Sequence, residues 1–360
     1  MKVGGKSFRS IWTDEVTGKV HIIDQTRLPF AFDTLALETR DAIAHAIRAM
    51  QVRGAPLIGV AAAFGVALAM REDGSDAALD ESIAVLQATR PTAVNLAWAL
   101  AKMKSHLSPL SPSARADAAW THACKLADDD VATNEAIGDH GFGMLRALHD
   151  EFHRPINILT HCNAGWVATV DWGTALSCIY KAHEAGIPLH VWVDETRPRN
   201  QGLLTAWELR EQGVPHTYIV DNAGGHMMQH GKVDVVLVGA DRVSRTGDVA
   251  NKIGTYLKAL AAFDNGIPFY AALPVSTIDP MLNDALAEIE IEERSESEVR
   301  AVIGLQAENA SNAAPALILH PGTRVSNPGF DLTPSRLVTG IITERGVFTP
   351  AQLAASIGKK

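Results

Sequence analysis

The chain has 360 residues, of which 47% are hydrophobic, so it is long enough to bury a full core and suits about two domains. Its 41 acidic residues outnumber its 32 basic residues and give a formal net charge of −9. This balance disfavours broad nucleic-acid or membrane-surface binding, so we predict no nucleic acid and no membrane among the partners. An anion site must be built from a few chosen basic residues.

The cysteines and the termini indicate where the protein works. Cys124, Cys162 and Cys178 form an odd set without a CxxC pair, which predicts neither a disulfide framework nor a zinc knuckle. The N-terminal residues MKVGGKSFRS lack the apolar core of a signal peptide. The uncharged run from Gly54 to Met70 contains glycines and a proline, and we expect a buried helix rather than a membrane span. We therefore expect a cytoplasmic protein.

Residues 1–150 are predicted to form a mostly helical N-terminal domain with a small β element. Short apolar pieces from Phe8 to Pro29 surround Val16-Thr17-Gly18-Lys19, which is typical of a hairpin. Apolar residues at helical spacing and a high alanine content then predict helices from Thr34 to Met50, Pro56 to Met70, Ala77 to Ala88, Ala93 to Met103 and Ser113 to Leu148.

Residues 151–360 are predicted to form a second domain of the α/β class, because apolar strand candidates alternate with helical stretches. The strand candidates run from Asn157 to Thr160, Leu189 to Val193, His216 to Val220, Val235 to Val238 and Pro268 to Ala272. The helical stretches between them run from Leu176 to Ala185, Leu203 to Gln212 and Ile253 to Asn265. This order favours a parallel sheet with helices on both faces.

Two of these strands end in loops with reactive side chains. The segment INILTHCNAG, Ile156 to Gly165, places Cys162 among small residues, and VDVVLVGADR, Val233 to Arg242, presents Asp241 after a glycine and an alanine. Functional groups of parallel sheets gather at the carboxyl ends of strands, so the thiol and the carboxyl are predicted to share a cleft. A helix start near Cys162 would favour its thiolate. The alternatives are an inert buried cysteine and an aspartate that caps a helix.

Basic and amide side chains near helix starts indicate an anion site. Arg53-Gly54-Ala55-Pro56 opens an alanine-rich helix, where arginine and glycine suit a phosphate or, alternatively, form an N-cap turn. Arg90 precedes the next helix, and Asn251 and Lys252 precede another. The stretch DETRPRNQG, Asp194 to Gly202, either binds a polyol and its charge or forms a solvated turn. Without a P-loop or a GxGxxG fingerprint, a small phosphorylated metabolite is favoured over a nucleotide triphosphate or a dinucleotide.

His226 and His230 have the i, i+4 spacing of helical metal ligands, but no glutamate of an HExxH motif accompanies them. We therefore predict no metal site and no cofactor.

Ordered blocks along nearly the whole chain resemble the methylthioribose-1-phosphate isomerase family of methionine salvage. The blocks are RGAPLIG (from Arg53), RPTAVNL (from Arg90), THCNAG (from Thr160), DETRPRNQG (from Asp194), GADRV (from Gly239), NKIGTY (from Asn251), ALPVSTID (from Ala272), IEERS (from Ile291) and NPGFDLTP (from Asn327). That family is related to the regulatory subunits of the translation factor eIF2B, which generally lack the cysteine and aspartate pair. It is also related to ribose-1,5-bisphosphate isomerases, which share the pair and are the nearer rival.

The resemblance implies a helical N-terminal domain, a Rossmann-like C-terminal domain and a homodimer. It implies conversion of 5-methylthioribose 1-phosphate into 5-methylthioribulose 1-phosphate, with Asp241 and Cys162 as the catalytic residues. The substrate-binding residues that it implies are Arg53, Gly54, Ala55, Arg90, Gln201, Asn251 and Lys252. The alternative from a different class is a noncatalytic regulatory protein that binds a sugar phosphate or nucleotide and a protein partner.

Overall fold

The computed structural model describes residues 1–14, 17–306 and 309–357. The chain divides into two compact units. The first comprises Met1–Arg27, Phe32–Ala136 and Gly165–Gly173, and the second comprises Leu28–Ala31, Ile137–Ala164 and the residues from Thr174 onward. The division into independent domains at residue 150 stays a prediction.

The first unit begins with short antiparallel strands. They are β1 (Lys2–Val3) paired with β2 (Lys6–Ser7), and a three-stranded sheet of β3 (Ile11–Thr13), β4 (Val20–Ile23) and β5 (Thr34–Leu37). In the predicted hairpin, Thr13 lies opposite Val20, while Val16 of the predicted turn lies outside the described residues. The helix predicted from Thr34 is wrong over its first residues, because Thr34–Leu37 pairs with β4. The helix begins only after Thr39, whose side chain accepts the N–H of Ala42 as an N-cap.

Five helices make up most of the first unit: α1 (Arg40–Arg48), α2 (Ala55–Glu72), α3 (Asp76–Gln87), α4 (Val94–Leu107) and the first part of α5 (Arg115–Phe152). Every residue of α2 from Leu57 to Met70 is buried, so the helix is apolar on all sides. It is long and apolar enough to cross a membrane, but 78% of its 18-residue window is buried inside the protein. The predicted buried helix is therefore confirmed.

The second unit contains the remaining elements in chain order. They are β6 (Ile156–Thr160), α6 (Ala175–Glu184), β7 (Leu189–Asp194), α7 (Gly202–Glu211), β8 (His216–Ile219), α8 (Ala223–Gln229), β9 (Val235–Val238), β10 (Arg242–Ser244), β11 (Val249–Lys252), α9 (Thr255–Asp264), β12 (Phe269–Ala272), β13 (Ile278–Asp279), α10 (Ala285–Glu288), α11 (Glu296–Arg300), β14 (Ala301–Gln306), β15 (Asn309–Leu317), β16 (Phe330–Thr333), β17 (Gly340–Thr343), β18 (Gly346–Phe348) and α12 (Pro350–Ile357).

A seven-stranded sheet organises this unit in the order β18-β17-β12-β9-β6-β7-β8. Its strand pairs are parallel except for β18, which pairs antiparallel with β17. All four residues of β9 are buried, as expected of a central strand covered on both faces. The predicted α/β fold with a Rossmann-like parallel sheet is confirmed.

Two smaller sheets accompany the large one. Strands β13, β10, β11 and β16 form a four-stranded sheet in that order, and β14 pairs with β15 in a separate antiparallel hairpin. Most of these strands have only two to four residues, which is too short for an apolar pattern to mark them in the sequence.

Candidate active site at the carboxyl ends of the strands

Neighbouring strands of the large sheet deliver Cys162 and Asp241. Strands β6 and β9 are parallel, with Ile158 opposite Val235, so their carboxyl ends lie side by side. The two following loops contact each other, because a Cβ added at Gly239 would lie 2.7 Å from the Cβ of Ala164. The glycine before Asp241 therefore permits a close approach of these two loops.

Lys252, at the end of β11, connects the two groups electrostatically. Its side chain is buried, and its Nζ donates to the carbonyl oxygen of Gly329 at 3.0 Å. Burial lowers the pKa of Lys252, whereas the acidic groups of Cys162 and Asp241 raise it. The ammonium thus interacts with both predicted catalytic side chains, so both are close enough to Lys252 to affect its pKa.

Asn251 precedes Lys252 in the same strand and is also buried, with its Nδ2 donating to Thr255 Oγ1 at 3.1 Å. Both residues belong to β11, and α9 begins only at Thr255. The prediction that they lie just before a helix is confirmed, although they occupy a strand rather than the first helical turn.

The backbone of Cys162 is left-handed, with a φ of 68°. Its N–H donates to Thr196 Oγ1 at 2.8 Å, and its carbonyl oxygen accepts from Thr205 Oγ1 at 2.8 Å. The predicted helix start beside the thiol is wrong, because α6 begins only at Ala175. The intervening Gly165–Gly173 belongs to the first unit and holds one short 3₁₀ turn, Trp166–Ala168.

Asp241 does not cap a helix, because the strand β10 begins at the next residue. Its backbone N–H donates to the carbonyl oxygen of Ala250 at 3.0 Å, and its side chain is partly exposed. The alternative of a helix-capping aspartate is therefore excluded.

A buried charged network lies beside the Cys162 loop. His161 Nδ1 is 3.0 Å from Asp194 Oδ2, and Lys258 Nζ is 3.2 Å from the same oxygen. His161 Nε2 donates to the carbonyl oxygen of Ile253 at 2.8 Å. Burial raises the pKa of Asp194, while His161 and Lys258 lower it. These contacts anchor the end of β6 to β7 and α9.

One group within this network has the chemistry of a metal site. His161, Asp194 and Asp221 form the cluster of three such ligands found among the described residues, with ligand atoms within 4.8 Å of one another. Lys258 already supplies a positive charge to Asp194 at this place. The rings of His226, in α8, and His230, just after it, are tilted by 42° with their centroids 4.1 Å apart. The absence of a metal stays a prediction.

The DETRPRNQG segment is a structured loop rather than a solvated turn. Both oxygens of the Asp221 carboxylate accept backbone N–H groups, from Thr196 and Arg197, each at 2.8 Å. Arg199 Nη1 pairs with Glu298 Oε1 at 2.8 Å, and Arg197 Nη2 donates to the carbonyl oxygen of Val299 at 3.0 Å. These two arginines therefore bind residues 298–299, at the end of α11, which fixes the loop.

Gln201 is the side chain of this loop that is best suited to a ligand. It is 7% exposed, and its Oε1 is buried without a hydrogen-bond partner among the residues that the structure describes. A buried amide oxygen in this state costs free energy unless another group bonds to it. Its predicted role as a substrate-binding residue is compatible with this position.

The other predicted binding residues, Arg53, Gly54, Ala55 and Arg90, belong to the first unit. Gly54, with a φ of 101°, is the N-cap of α2, so the segment from Arg53 to Pro56 opens this helix as predicted. A Cβ added there would lie 2.2 Å from the carbonyl oxygen of Ala168. Arg90 lies in the turn before α4, which begins at Val94. Their joint action with Cys162 stays a prediction.

Sequence reasoning missed four residues that hold the Cys162 loop: Thr196, Thr205, Asp221 and Lys258. Asp221 could have been found, because it follows the predicted strand from His216 to Val220 and so occupies a strand end. Lys258 lies inside α9, and Thr205 inside α7, where nothing in the local pattern distinguishes them.

Comparisons with known proteins match nearly the whole chain. Residues 51–350 match the family described as "Initiation factor 2 subunit family". A methylthioribose-1-phosphate isomerase from Acidiphilium cryptum (strain JF-5) is 60% identical over 349 residues, covering 96% of this chain and 94% of that protein. A solved structure of 5-methylthioribose 1-phosphate isomerase from Pyrococcus horikoshii OT3 has a TM-score of 0.83 and 39% identity, covering 98% and 96% of the two chains.

A protein named as a translation initiation factor subunit has the same fold. The solved structure of translation initiation factor eIF-2B, subunit delta, from A. fulgidus has a TM-score of 0.78 and 38% identity, covering 96% of each chain. Because proteins named as isomerases and as initiation factor subunits share this fold, the function must be argued from the site and from the relatives with higher sequence identity.

Proposed function

Because the chain belongs to the Initiation factor 2 subunit family and, within it, to the methylthioribose-1-phosphate isomerases, we propose that it converts 5-methylthioribose 1-phosphate into 5-methylthioribulose 1-phosphate, a step of methionine salvage. The observation that carries this proposal is the 60% identity across 96% of the chain. The grouping of Cys162 and Asp241 around Lys252 supports it, since such a group suits proton transfer.

The chemistry of an aldose 1-phosphate sets two demands. The phosphate on the anomeric oxygen blocks opening to a free aldehyde, so the ring oxygen must receive a proton as its bond to C1 breaks. The hydrogen on C2 then moves to C1, and the C2 hydroxyl loses its proton to leave a ketone. An acid and a base must therefore act at adjacent carbons, in a site that excludes water and strengthens electrostatic interactions.

We assign Asp241 as the principal proton donor and acceptor and Cys162 as its partner in the transfer. The buried ammonium of Lys252 balances negative charge that develops beside them. Asn251 and Gln201 offer buried amides to the sugar hydroxyls. Arg53 and Arg90, with the helix start at Gly54 and Ala55, suit the phosphate.

A direct assay tests the activity. The purified protein is incubated separately with 5-methylthioribose 1-phosphate, deoxyribose 1-phosphate and ribose 1,5-bisphosphate, and ketose formation is measured. We expect the highest kcat/KM with the methylthio sugar. Preferential turnover of the bisphosphate would favour the rival isomerase, and no turnover with stable capture of another polypeptide would favour the regulatory alternative.

Two substitutions test the catalytic assignments. Asp241→Asn and Cys162→Ser are each expected to lower kcat by at least about 100-fold, because each removes an acid or base from the transfer. Asp264→Asn, at an exposed aspartate, and Cys124→Ser, at a partly buried cysteine in α5, are the matched controls and should keep the wild-type rate. Full activity in Asp241→Asn would exclude the role given to that carboxyl.

We also propose that the protein is a cytoplasmic homodimer with a sugar phosphate as its small-molecule partner. The odd number of cysteines, without a CxxC pair, supports the compartment.

A further inference from the structure

The conformation of Cys162 requires support from its surroundings. Its φ of 68° lies in the left-handed region, which residues other than glycine adopt only at a free-energy cost. Thr196 is also left-handed, with a φ of 62°, and this is rarer still for a β-branched residue. Two strained residues in direct contact indicate that their geometry serves a purpose at this site.

Two threonine hydroxyls hold the backbone of Cys162 from opposite sides of its Cα. Thr196 Oγ1 accepts the Cys162 N–H, and Thr205 Oγ1 donates to the Cys162 carbonyl oxygen, both at 2.8 Å. The first contact fixes the peptide plane before Cα and so restrains φ, and the second fixes the plane after it and so restrains ψ. Since both threonines are 0% exposed, no water competes for these bonds.

The hydroxyl of Thr196 is itself held in place. Besides accepting from Cys162, it donates to the carbonyl oxygen of Asp194 at 3.2 Å. The backbone N–H of Thr196 donates to the carboxylate of Asp221, which also accepts from Arg197. The hydroxyl proton of Thr196 therefore bonds to the carbonyl oxygen of Asp194, and its amide proton bonds to the carboxylate of Asp221.

The hydroxyl of Thr205 is oriented by a second chain of hydrogen bonds. It accepts from Asn163 Nδ2 at 3.1 Å, which also donates to Glu208 Oε1 at 2.8 Å. The other oxygen of Glu208 accepts from Tyr180 Oη at 2.8 Å. Because the Thr205 hydroxyl oxygen accepts from Asn163, its proton is directed to the carbonyl oxygen of Cys162.

We infer that Thr196 and Thr205 are positioning residues that hold Cys162 in its left-handed conformation and thereby aim its thiol. The inference rests on the proposed function only for the catalytic use of that thiol. Without either hydroxyl, Cys162 relaxes toward the right-handed region, which redirects its Cα–Cβ bond and moves the sulfur.

The test compares Thr196→Val with Thr196→Ser, and Thr205→Val with Thr205→Ser, in the full chain. Valine keeps the shape and removes the hydroxyl, whereas serine keeps the hydroxyl. Thr343→Val is the matched control, because Thr343 is also 0% exposed and its hydroxyl donates to Gly346 in β18 rather than to the Cys162 loop. Each variant is assayed for kcat and KM, and the rate of iodoacetamide alkylation at Cys162 is measured by peptide mass spectrometry without substrate.

We expect each valine variant to lower kcat by about 10- to 100-fold with KM nearly unchanged, and to change the alkylation rate at Cys162. The serine variants should stay within about threefold of wild type, as should Thr343→Val. Wild-type kcat and alkylation in both valine variants would overturn the inference, as would serine variants as impaired as the valine ones. If one valine variant does not fold, the test uses the serine variant at that position together with both variants of the other threonine. Because alkylation needs no turnover, failure of the isomerase assay would leave this test intact.

Discussion

Asp130, in the middle of α5, is a carboxyl whose surroundings disfavour its charge. Burial raises the pKa of Asp130 to about 7, although the N–H of Val170, which donates to its Oδ2 at 2.7 Å, acts in the opposite direction. The folded protein therefore binds a proton that the unfolded chain releases near pH 3.8. The free energy of unfolding must fall, through this group, as the pH rises from about 4 to 7.

Asp130→Asn is expected to weaken this pH dependence, because asparagine keeps an acceptor for Val170 and carries no charge. Urea unfolding at pH 5 and pH 8 should show a smaller loss of stability for the variant than for wild type. Asp129→Asn is the control, since the Asp129 side chain is 54% exposed and pairs with Lys125 on the surface. Equal pH dependence in wild type and Asp130→Asn would contradict the assigned pKa.

At the residue scale, the sequence predicted the reactive side chains that follow strand ends. It did not predict the side chains that hold those residues in place. Cys162 and Asp241 could be found because an apolar run stops just before each. Thr196, in contrast, acts through a hydrogen bond to a residue 34 positions earlier, which no local spacing reveals. A left-handed backbone at a residue other than glycine likewise gives no compositional sign.

The start of α2 depends on one glycine. Gly54 has a φ of 101°, and a Cβ there would lie 2.2 Å from the carbonyl oxygen and 2.5 Å from the Cα of Ala168. Since the obstacle is backbone rather than a flexible side chain, it cannot move aside without shifting the Trp166–Ala168 turn.

Gly54→Ala is expected to lower the free energy of unfolding by about 3 kcal/mol, from both the strained φ and the clash. Gly143→Ala, at an exposed position of α5 with nothing within 4 Å, should raise it by about 0.5–1 kcal/mol because alanine favours the helix. Urea unfolding of both variants checks the prediction, and equal stability of Gly54→Ala and wild type would exclude the tight approach.

At the element scale, the sequence predicted long regular elements well and short ones poorly. Helix α2 and strand β9 carry enough apolar residues to specify their type. Strand β5 was hidden because Leu35 and Leu37 also continue the helical spacing of α1, and only pairing with β4 decides between the two. Strand β11, which carries Asn251 and Lys252, is defined by its partners β10 and β16 rather than by its own pattern.

At the scale of the whole molecule, the β14–β15 hairpin has an exposed apolar face. Its register places Ala301 opposite Leu317 and Ile303 opposite Pro315, so these four side chains share one face. Ile303 is 59% exposed and Leu317 is 76% exposed. A hairpin outside a larger sheet is marginally stable by itself, so we expect a second copy of the chain to cover this face in the proposed homodimer.

We expect light scattering to give twice the 38.5 kDa mass of one chain, in line with the proposed homodimer. Ile303→Lys should shift the mass toward the monomer, because it buries a charge in the interface. Ala316→Lys, exposed on the other face of the same hairpin, should not. A monomeric wild type at all concentrations, or a dimer unaffected by Ile303→Lys, would contradict this arrangement.

The path of the chain between the two compact units has a practical consequence for protein engineering. The polypeptide passes from one unit to the other after Arg27, Ala31, Ala136, Ala164 and Gly173. No single cut in the gene yields two fragments that each encode one intact unit. A split-protein reporter built on this scaffold must therefore reassemble interleaved pieces, and its halves should fold only when they are produced together.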